Sequence, residues 1–217
     1  MPRYLKILLI AASVIIIAGG GLFAIVATSS AAPDWMRFWE DEKYEYNGGF
    51  YEPPREAHDF INAVDQNGDP VSLEDFEGKT VFIYFGYTYC PDYCPATLAE
   101  WMEVKAELGE DAEDVVFVMV TVDPERDTPE RLKEWIAFWD PDFLGVTMSR
   151  EDTDQTTQNW GITATKRESG SQSGYLVDHD VATYVIGPDG QIHLTYPLGF
   201  APEDIAEDIR HLQDSSN

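Results

Sequence analysis

The chain reads as an α/β protein, a mixed central sheet flanked by helices, preceded by a hydrophobic segment of membrane-spanning length. Three observations predict this. Two predominantly apolar runs rich in β-formers, Thr80–Phe85 (TVFIYF) and Val115–Val122 (VVFVMVTV), have the near-continuous apolarity of strands buried on both faces. Helical stretches with apolar stripes lie between and after them. An uncharged run of 21 residues, Ile7–Ala27, stands near the N-terminus. At 217 residues there is room for one such segment and one globular domain.

As a helix, that first segment would be about 32 Å long, enough to cross a hydrocarbon core of about 30 Å. Arg3 and Lys6 precede it, so the positive-inside rule keeps that end in the cytoplasm and sends the rest across. The expected division is residues 1–28 as cytoplasmic stub and transmembrane anchor, 29–55 as an extracytoplasmic tether, and 56–217 as the folded domain. The alternative is a cleaved export signal, for which the small residues of Ala27–Ala32 offer a site. The domain is exported on either reading. No cysteine lies near the segment's end, which excludes a lipid-modified anchor. Trp35, Phe38 and Trp39 suit either the lipid interface or packing against the domain.

Charge narrows the function. Forty acids against 14 bases give −26, and since the first 33 residues hold two bases and no acid, the remainder carries −28. Nucleic-acid binders need a basic face to replace the counterions on phosphate, so the surplus argues against that class. A peripheral hold on anionic lipid is disfavoured as well. The surplus suits cations or a positively charged partner, or simply a solvated acidic surface fitted to a salty medium; charge alone does not choose between these, and it keeps the domain soluble on each.

The elements follow in order. Phe60–Val64 is expected as a short strand and Asn67-Gly68 as a hairpin-type turn. Asp65, Asn67 and Asp69 suggest a calcium loop, but the glycine falls at the fourth position instead of the sixth, so a turn is expected. Pro95–Leu108 is helical, with Leu98, Trp101, Lys105 and Leu108 near one stripe and the lysine stem sharing it. Thr128-Pro129 opens a second helix, in which Leu132, Trp135, Ile136 and Trp139 recur at i, i+3, i+4 and i+7. Glu151–Trp160 is a third. Val181–Ile186 and Gln191–Tyr196 are strands joined by the turn Gly187-Pro188-Asp189-Gly190, and Pro202–Leu212 is a last helix burying Ile205, Ile209 and Leu212. Parallel central strands plus an antiparallel hairpin make this order thioredoxin-like.

The two cysteines of the chain, Cys90 and Cys94, lie between the first apolar strand and the first helix. Cys94 falls at or just before the helix start, where unpaired N–H groups and the helix dipole favour a thiolate, the form that attacks and that ligates. Three residues separate the pair. At i and i+4 of a helical turn, Cβ atoms lie about 5–6 Å apart. Two sulfurs so placed can converge on a metal at about 2.3 Å from each, or close a disulfide. Metal clamp, structural disulfide and redox pair all remain open at this level. A two-thiolate site suits a soft ion such as Cu(I), and Cu(II) prefers a nitrogen ligand in addition. Of His58, His179, His193 and His211, only His179 is expected in a loop, between Asp178 and Asp180. A carboxylate beside a ligand histidine can fix its tautomer.

Three motifs in order, Gly86-Tyr87-Thr88-Tyr89-Cys90-Pro91-Asp92-Tyr93-Cys94-Pro95, Val122-Asp123-Pro124-Glu125-Arg126-Asp127-Thr128-Pro129, and Val177-Asp178-His179 with Gly187-Pro188-Asp189-Gly190, resemble the Sco/SenC copper-chaperone family. The likeness runs from about residue 46 to the end. It implies a thioredoxin fold on a membrane anchor, copper held by Cys90, Cys94 and His179, and Asp178 in support of the histidine. It also implies a role in assembling the CuA centre of cytochrome c oxidase subunit II. One departure is visible: many relatives have histidine directly before the first cysteine, where this chain has Tyr89. The role of the Asp123–Pro129 stretch is not legible, beyond Thr128 as a helix N-cap.

Three functions therefore compete. A copper-binding metallochaperone, not itself an enzyme, is the leading reading. A thiol–disulfide oxidoreductase would use Cys90 and Cys94 on the subunit II cysteines and has no need of His179. A peroxidase-like enzyme of the same fold would need an exposed cysteine with an arginine nearby, for which Arg126 is the candidate.

Overall fold

Parallel pairing of the two apolar runs forms the centre of the molecule. In a computed structural model describing residues 44–168 and 174–215, β3 (Thr80–Gly86) and β4 (Val115–Thr121) run side by side from Thr80↔Val115 to Gly86↔Thr121. Every residue of β3 is buried, as a strand covered on both faces requires. β5 (Leu144–Thr147) pairs parallel with β4. Parallel neighbours need a crossover, supplied by α1 (Tyr93–Leu108) between β3 and β4 and by α2 (Pro129–Trp139) between β4 and β5.

On the other flank the pairing is antiparallel: β8 (Ala182–Ile186) on β3, β9 (Gln191–Pro197) on β8, and β1 (Gly49–Glu56) on β9. With β2 (Val64–Asp65) against β5, the seven-stranded order is β1-β9-β8-β3-β4-β5-β2. A separate antiparallel hairpin is made by β6 (Ala164–Glu168) and β7 (Tyr175–His179). Two more helices are α3 (Arg150–Trp160) and α4 (Pro202–Ser215).

Three expectations need correction. The tether was expected to reach residue 55, but Gly49–Glu56 is β1, the edge of the main sheet. Its register shifts between Phe50 and Arg55, where Pro53 and Pro54 have no N–H to donate. Phe60–Val64 is not a strand: only Val64–Asp65 pairs, while Phe60 packs in the core from a loop. The β6–β7 hairpin was not foreseen. The segment 7–27, with Trp35, Phe38 and Trp39, lies outside the described residues; among those described, no helix is long and apolar enough to cross a membrane.

Local chemistry explains the helix ends. Thr128 caps α2 by accepting from the Arg131 N–H, with Pro129 in the first turn. Ser149 caps α3 by accepting from the Asp152 N–H, and Gly161, with φ of 72°, ends that helix in the left-handed conformation. α3 buries Thr153, Thr156, Thr157 and Trp160. Its hydroxyls are satisfied locally, Thr153 donating to Ser149 O at 2.9 Å and Thr157 to Thr153 O at 2.8 Å. α1 begins at Tyr93, two residues earlier than expected, and buries Cys94, Thr97, Leu98, Trp101, Val104 and Leu108. Lys105 stands at the flank of that stripe, its ammonium 2.8 Å from both Asp140 and Asp142.

One buried carboxylate ties the start of the domain to its last helix. Asp208 on α4 is fully buried and accepts from Asn47 N at 3.0 Å, Asn47 Nδ2 at 3.1 Å, Gly48 N at 2.9 Å and Tyr196 Oη at 2.9 Å. Residue 48 must be glycine for this approach, since a Cβ there would lie 2.3 Å from Tyr196 Cε1. Asp208→Ala strands these donors and is expected to destabilise the full-length protein by about 2–4 kcal/mol, read as a lower urea midpoint. An unchanged midpoint would show that the tie contributes nothing.

Candidate metal centre

β3 ends at Gly86, where a Cβ would lie 2.5 Å from Tyr84 Cε1 and 3.2 Å from Cys94 Sγ. The absent side chain is what lets the first turn of α1 come so close to the strand. Cys94 is the second residue of that helix and wholly buried; Cys90, on the preceding loop, is 8% exposed, and both are free thiols. The Cys94 N–H donates to Cys90 Sγ at 3.5 Å. Cys94 Sγ in turn accepts from Tyr87 N at 3.5 Å and lies 3.3 Å from the Tyr84 hydroxyl.

His179 ends β7 and is not in a loop as expected. Its ring stands edge-on to Tyr87, at 5.5 Å between centroids, and to Tyr84, at 6.1 Å. Nδ1 lies 2.9 Å from Val177 O. A carbonyl only accepts, so Nδ1 carries a proton, and Nε2 is the ring nitrogen left to serve as a ligand. Nε2 points at Cys94 Sγ, 3.9 Å away across 85 residues of sequence. Val177 N donates to Tyr87 Oη at 3.2 Å, pinning the strand to the cysteine loop. The sequence assigned ring orientation to Asp178. In the structure that carboxylate is exposed and pairs with Arg167 at 3.1 Å, and the tautomer-setting bond goes to a backbone carbonyl.

The two thiols differ. The Cys94 thiol donates to Cys90, and with the N–H groups of residues 92–94 it lowers the Cys90 pKa to about 5 against the cost of burial. Burial pushes Cys94 the other way, and hydrogen bonding to Cys90 and its charge add to the rise. Cys90 is therefore the ionised sulfur and Cys94 the one that keeps its proton. A cavity of about 250 Å³, lined among others by Cys90, Tyr93, Leu176 and His179, opens beside them.

Two sulfurs and one unprotonated imidazole nitrogen make a soft three-donor set that suits copper in either oxidation state. The 3.9 Å from Nε2 to Cys94 Sγ is shorter than a metal–nitrogen and a metal–sulfur bond laid end to end, about 4.3 Å, so one ion can touch both. The contacts run from Cys90 to Cys94 to His179, with Cys94 in the middle. Among the described residues, no three His, Cys, Asp or Glu side chains already converge tightly enough to hold an ion as they stand.

The Asp123–Pro129 stretch, silent in the sequence, is the frame of this corner. Asp127 is fully buried and accepts from Thr88 N at 3.0 Å, Thr88 Oγ1 at 2.7 Å and Thr121 Oγ1 at 2.6 Å, tying the cysteine loop to the end of β4. Asp123, also fully buried, accepts from Tyr175 Oη at 2.8 Å and pairs with Arg126 at 2.5 Å. Arg126 lies 3.7 Å from the centroid of the Tyr175 ring and donates to Tyr175 O at 3.1 Å. One acidic residue thus holds the loop and the other the root of the histidine strand. Arg126, the candidate peroxidase arginine, is engaged with the hairpin. Among the other histidines, His193 contacts Asp189 at 3.0 Å and His211 packs edge-on to Tyr46.

In reduced, metal-free protein, iodoacetamide is expected to label Cys90 before Cys94, with a rate that rises through about pH 5 instead of above neutrality. Peptide mapping reads the order, and labelling of Cys94 first would overturn the assignment.

Comparison with known proteins identifies the family. Residues 52–214 match the SCO1/SenC family profile. The mouse mitochondrial Protein SCO2 homolog is 35% identical over 152 residues, which are 69% of this chain and 60% of the mouse protein's length. Among solved structures, copper-bound ScoI from Bradyrhizobium japonicum is 32% identical with a TM-score of 0.67, covering 72% of this chain and 99% of that one. BsSco, described as a member of the Sco family of cytochrome c oxidase assembly proteins and as having a disulfide switch, is 26% identical with a TM-score of 0.59, covering 79% and 99%. With most of its length matched, its three motifs in order and its fold shared, this chain belongs to the SCO1/SenC family.

Proposed function

We propose that the protein binds one copper ion through Cys90, Cys94 and His179, and serves as a metallochaperone in assembly of the CuA centre of cytochrome c oxidase subunit II. One observation carries the reading: the imidazole nitrogen not engaged by the Val177 carbonyl faces the sulfur of Cys94, although 85 residues separate them. A protein that needed only a dithiol would gain nothing from that approach. The copper-bound Bradyrhizobium structure supports the choice of ion. In this reading Cys90, on the loop, rotates to join the other two donors. The residues of the frame hold the loop and the hairpin at a fixed separation while it does so.

The proposed setting is a membrane. Residues 1–28 anchor the chain, a tether shorter than first expected runs to about residue 45, and the domain stands outside the cytoplasm. A second reading, thiol–disulfide exchange with the subunit II cysteines, draws on the unequal thiols. Cys90 as thiolate attacks a substrate disulfide, and Cys94 then displaces the reduced substrate to leave a Cys90–Cys94 disulfide. The disulfide switch of BsSco fits that chemistry.

Reduced protein is expected to bind one copper per chain, with a strong sulfur-to-copper charge-transfer band for Cu(II). His179→Ala should weaken Cu(II) by more than the roughly 10–100-fold that loss of an outer partner costs, and Cu(I) far less, because the thiolate pair suffices for the softer ion. Equal loss of both would remove His179 from the ligand set. Incubation with apo subunit II separates the two readings: copper transfer supports the first, and thiol reduction without transfer supports the second.

A further inference from the structure

Tyr84 is not among the ligands, yet it touches two of them. It lies on β3, is fully buried, and has its ring under Gly86 and edge-on to Trp101 at 6.2 Å. Its hydroxyl is 3.3 Å from Cys94 Sγ and 3.3 Å from His179 Nε2. A phenol has one proton to donate, so the two acceptors compete for it. Nδ1 is already committed to Val177 O, which leaves Nε2 as an acceptor. A thiol sulfur is the weaker acceptor of the two, and a thiolate is a strong one.

We propose that Tyr84 is a positioning residue that switches its hydrogen bond between the two ligands, and so sets which oxidation state of copper the site favours. Without metal the hydroxyl donates to Nε2 and parks the imidazole beside Cys94. When Nε2 gives its lone pair to a metal, that bond is lost, and the Cys94 sulfur, which becomes a thiolate on ligation, is the strongest acceptor still within reach. Hydrogen bonding to a ligating thiolate draws charge from sulfur and disfavours the higher oxidation state of the ion it binds. This inference rests on the copper reading above for its second half only; the parking of Nε2 does not need copper.

The test compares full-length wild type with Tyr84→Phe in both states. In metal-free protein, 15N NMR of His179 should show Nε2 moving toward the shift of an unbonded imidazole nitrogen in Tyr84→Phe, while Nδ1 stays protonated. In the copper-bound protein, the sulfur-to-copper band should move to lower energy. The Cu(II):Cu(I) affinity ratio should rise about tenfold, a fall of about 59 mV in the copper potential. A packing role alone would move neither the Nε2 shift nor the band. If the variant folds poorly, 3-fluorotyrosine at position 84 keeps the ring and strengthens the donor, and the band and ratio should move the opposite way. An unchanged Nε2 shift, or an unchanged band and ratio with copper bound, overturns the proposal. Failure of wild type to bind copper sinks the copper reading and with it the second half, and leaves the metal-free arm to decide the first.

Discussion

Val177 uses both of its main-chain polar groups to assemble the site. Its N–H reaches the Tyr87 hydroxyl on the cysteine loop, and its C=O takes the Nδ1 proton of His179. The first bond joins two segments 90 residues apart. The second determines which nitrogen of the ring is left for chemistry. Both depend on β7 lying against the corner where β3 meets α1, and that depends on Gly86 leaving space for the Tyr84 ring and the Cys94 sulfur. Backbone groups are well suited to this task, because they cannot rotate away or change protonation near neutral pH.

The two buried aspartates extend the same logic outward. Asp127 fastens Thr88 and Asp123 fastens Tyr175, each from the turn that follows β4. Buried carboxylates are costly unless every oxygen is satisfied, and here hydroxyl, amide and guanidinium donors surround them. Burial pushes the Asp127 carboxyl above its usual range, the nearby Asp123 charge adds to the rise, and its three donors act against it. A single short motif thereby sets the spacing between two parts of the chain that are remote in sequence. That explains why it stands beside the cysteines as a marker without presenting a ligand.

The central parallel strands and their crossover helices were legible in the sequence because their signal is local: unbroken apolar runs for β3 and β4, a Thr-Pro start and an i, i+3, i+4, i+7 stripe for α2. Cys90 and Cys94 were legible for the same reason. β1 was hidden by Pro53-Pro54 and by its exposure at an edge, which leaves no alternation to read. The β6–β7 hairpin is mostly polar and exposed on β6, so periodicity says nothing about Ala164–Glu168. His179 was chosen by resemblance for a position expected in a loop. The physical basis of its proposed role, a carbonyl behind the ring and a tyrosine in front, exists only once the strand is folded. Asp178 was a reasonable orienting group from adjacency alone, but neighbours along a strand face opposite ways, and it turns to Arg167.

The outer limits of the main sheet have a consequence of their own. At one side β1 carries Pro53-Pro54, two consecutive positions without amide hydrogens; at the other, β2 is only two residues long. Neither margin offers the extended ladder of free donors and acceptors on which a strand from another molecule could dock. Among the described residues, the two margins of the seven-stranded sheet are therefore poor templates for an eighth strand supplied by another copy of the domain.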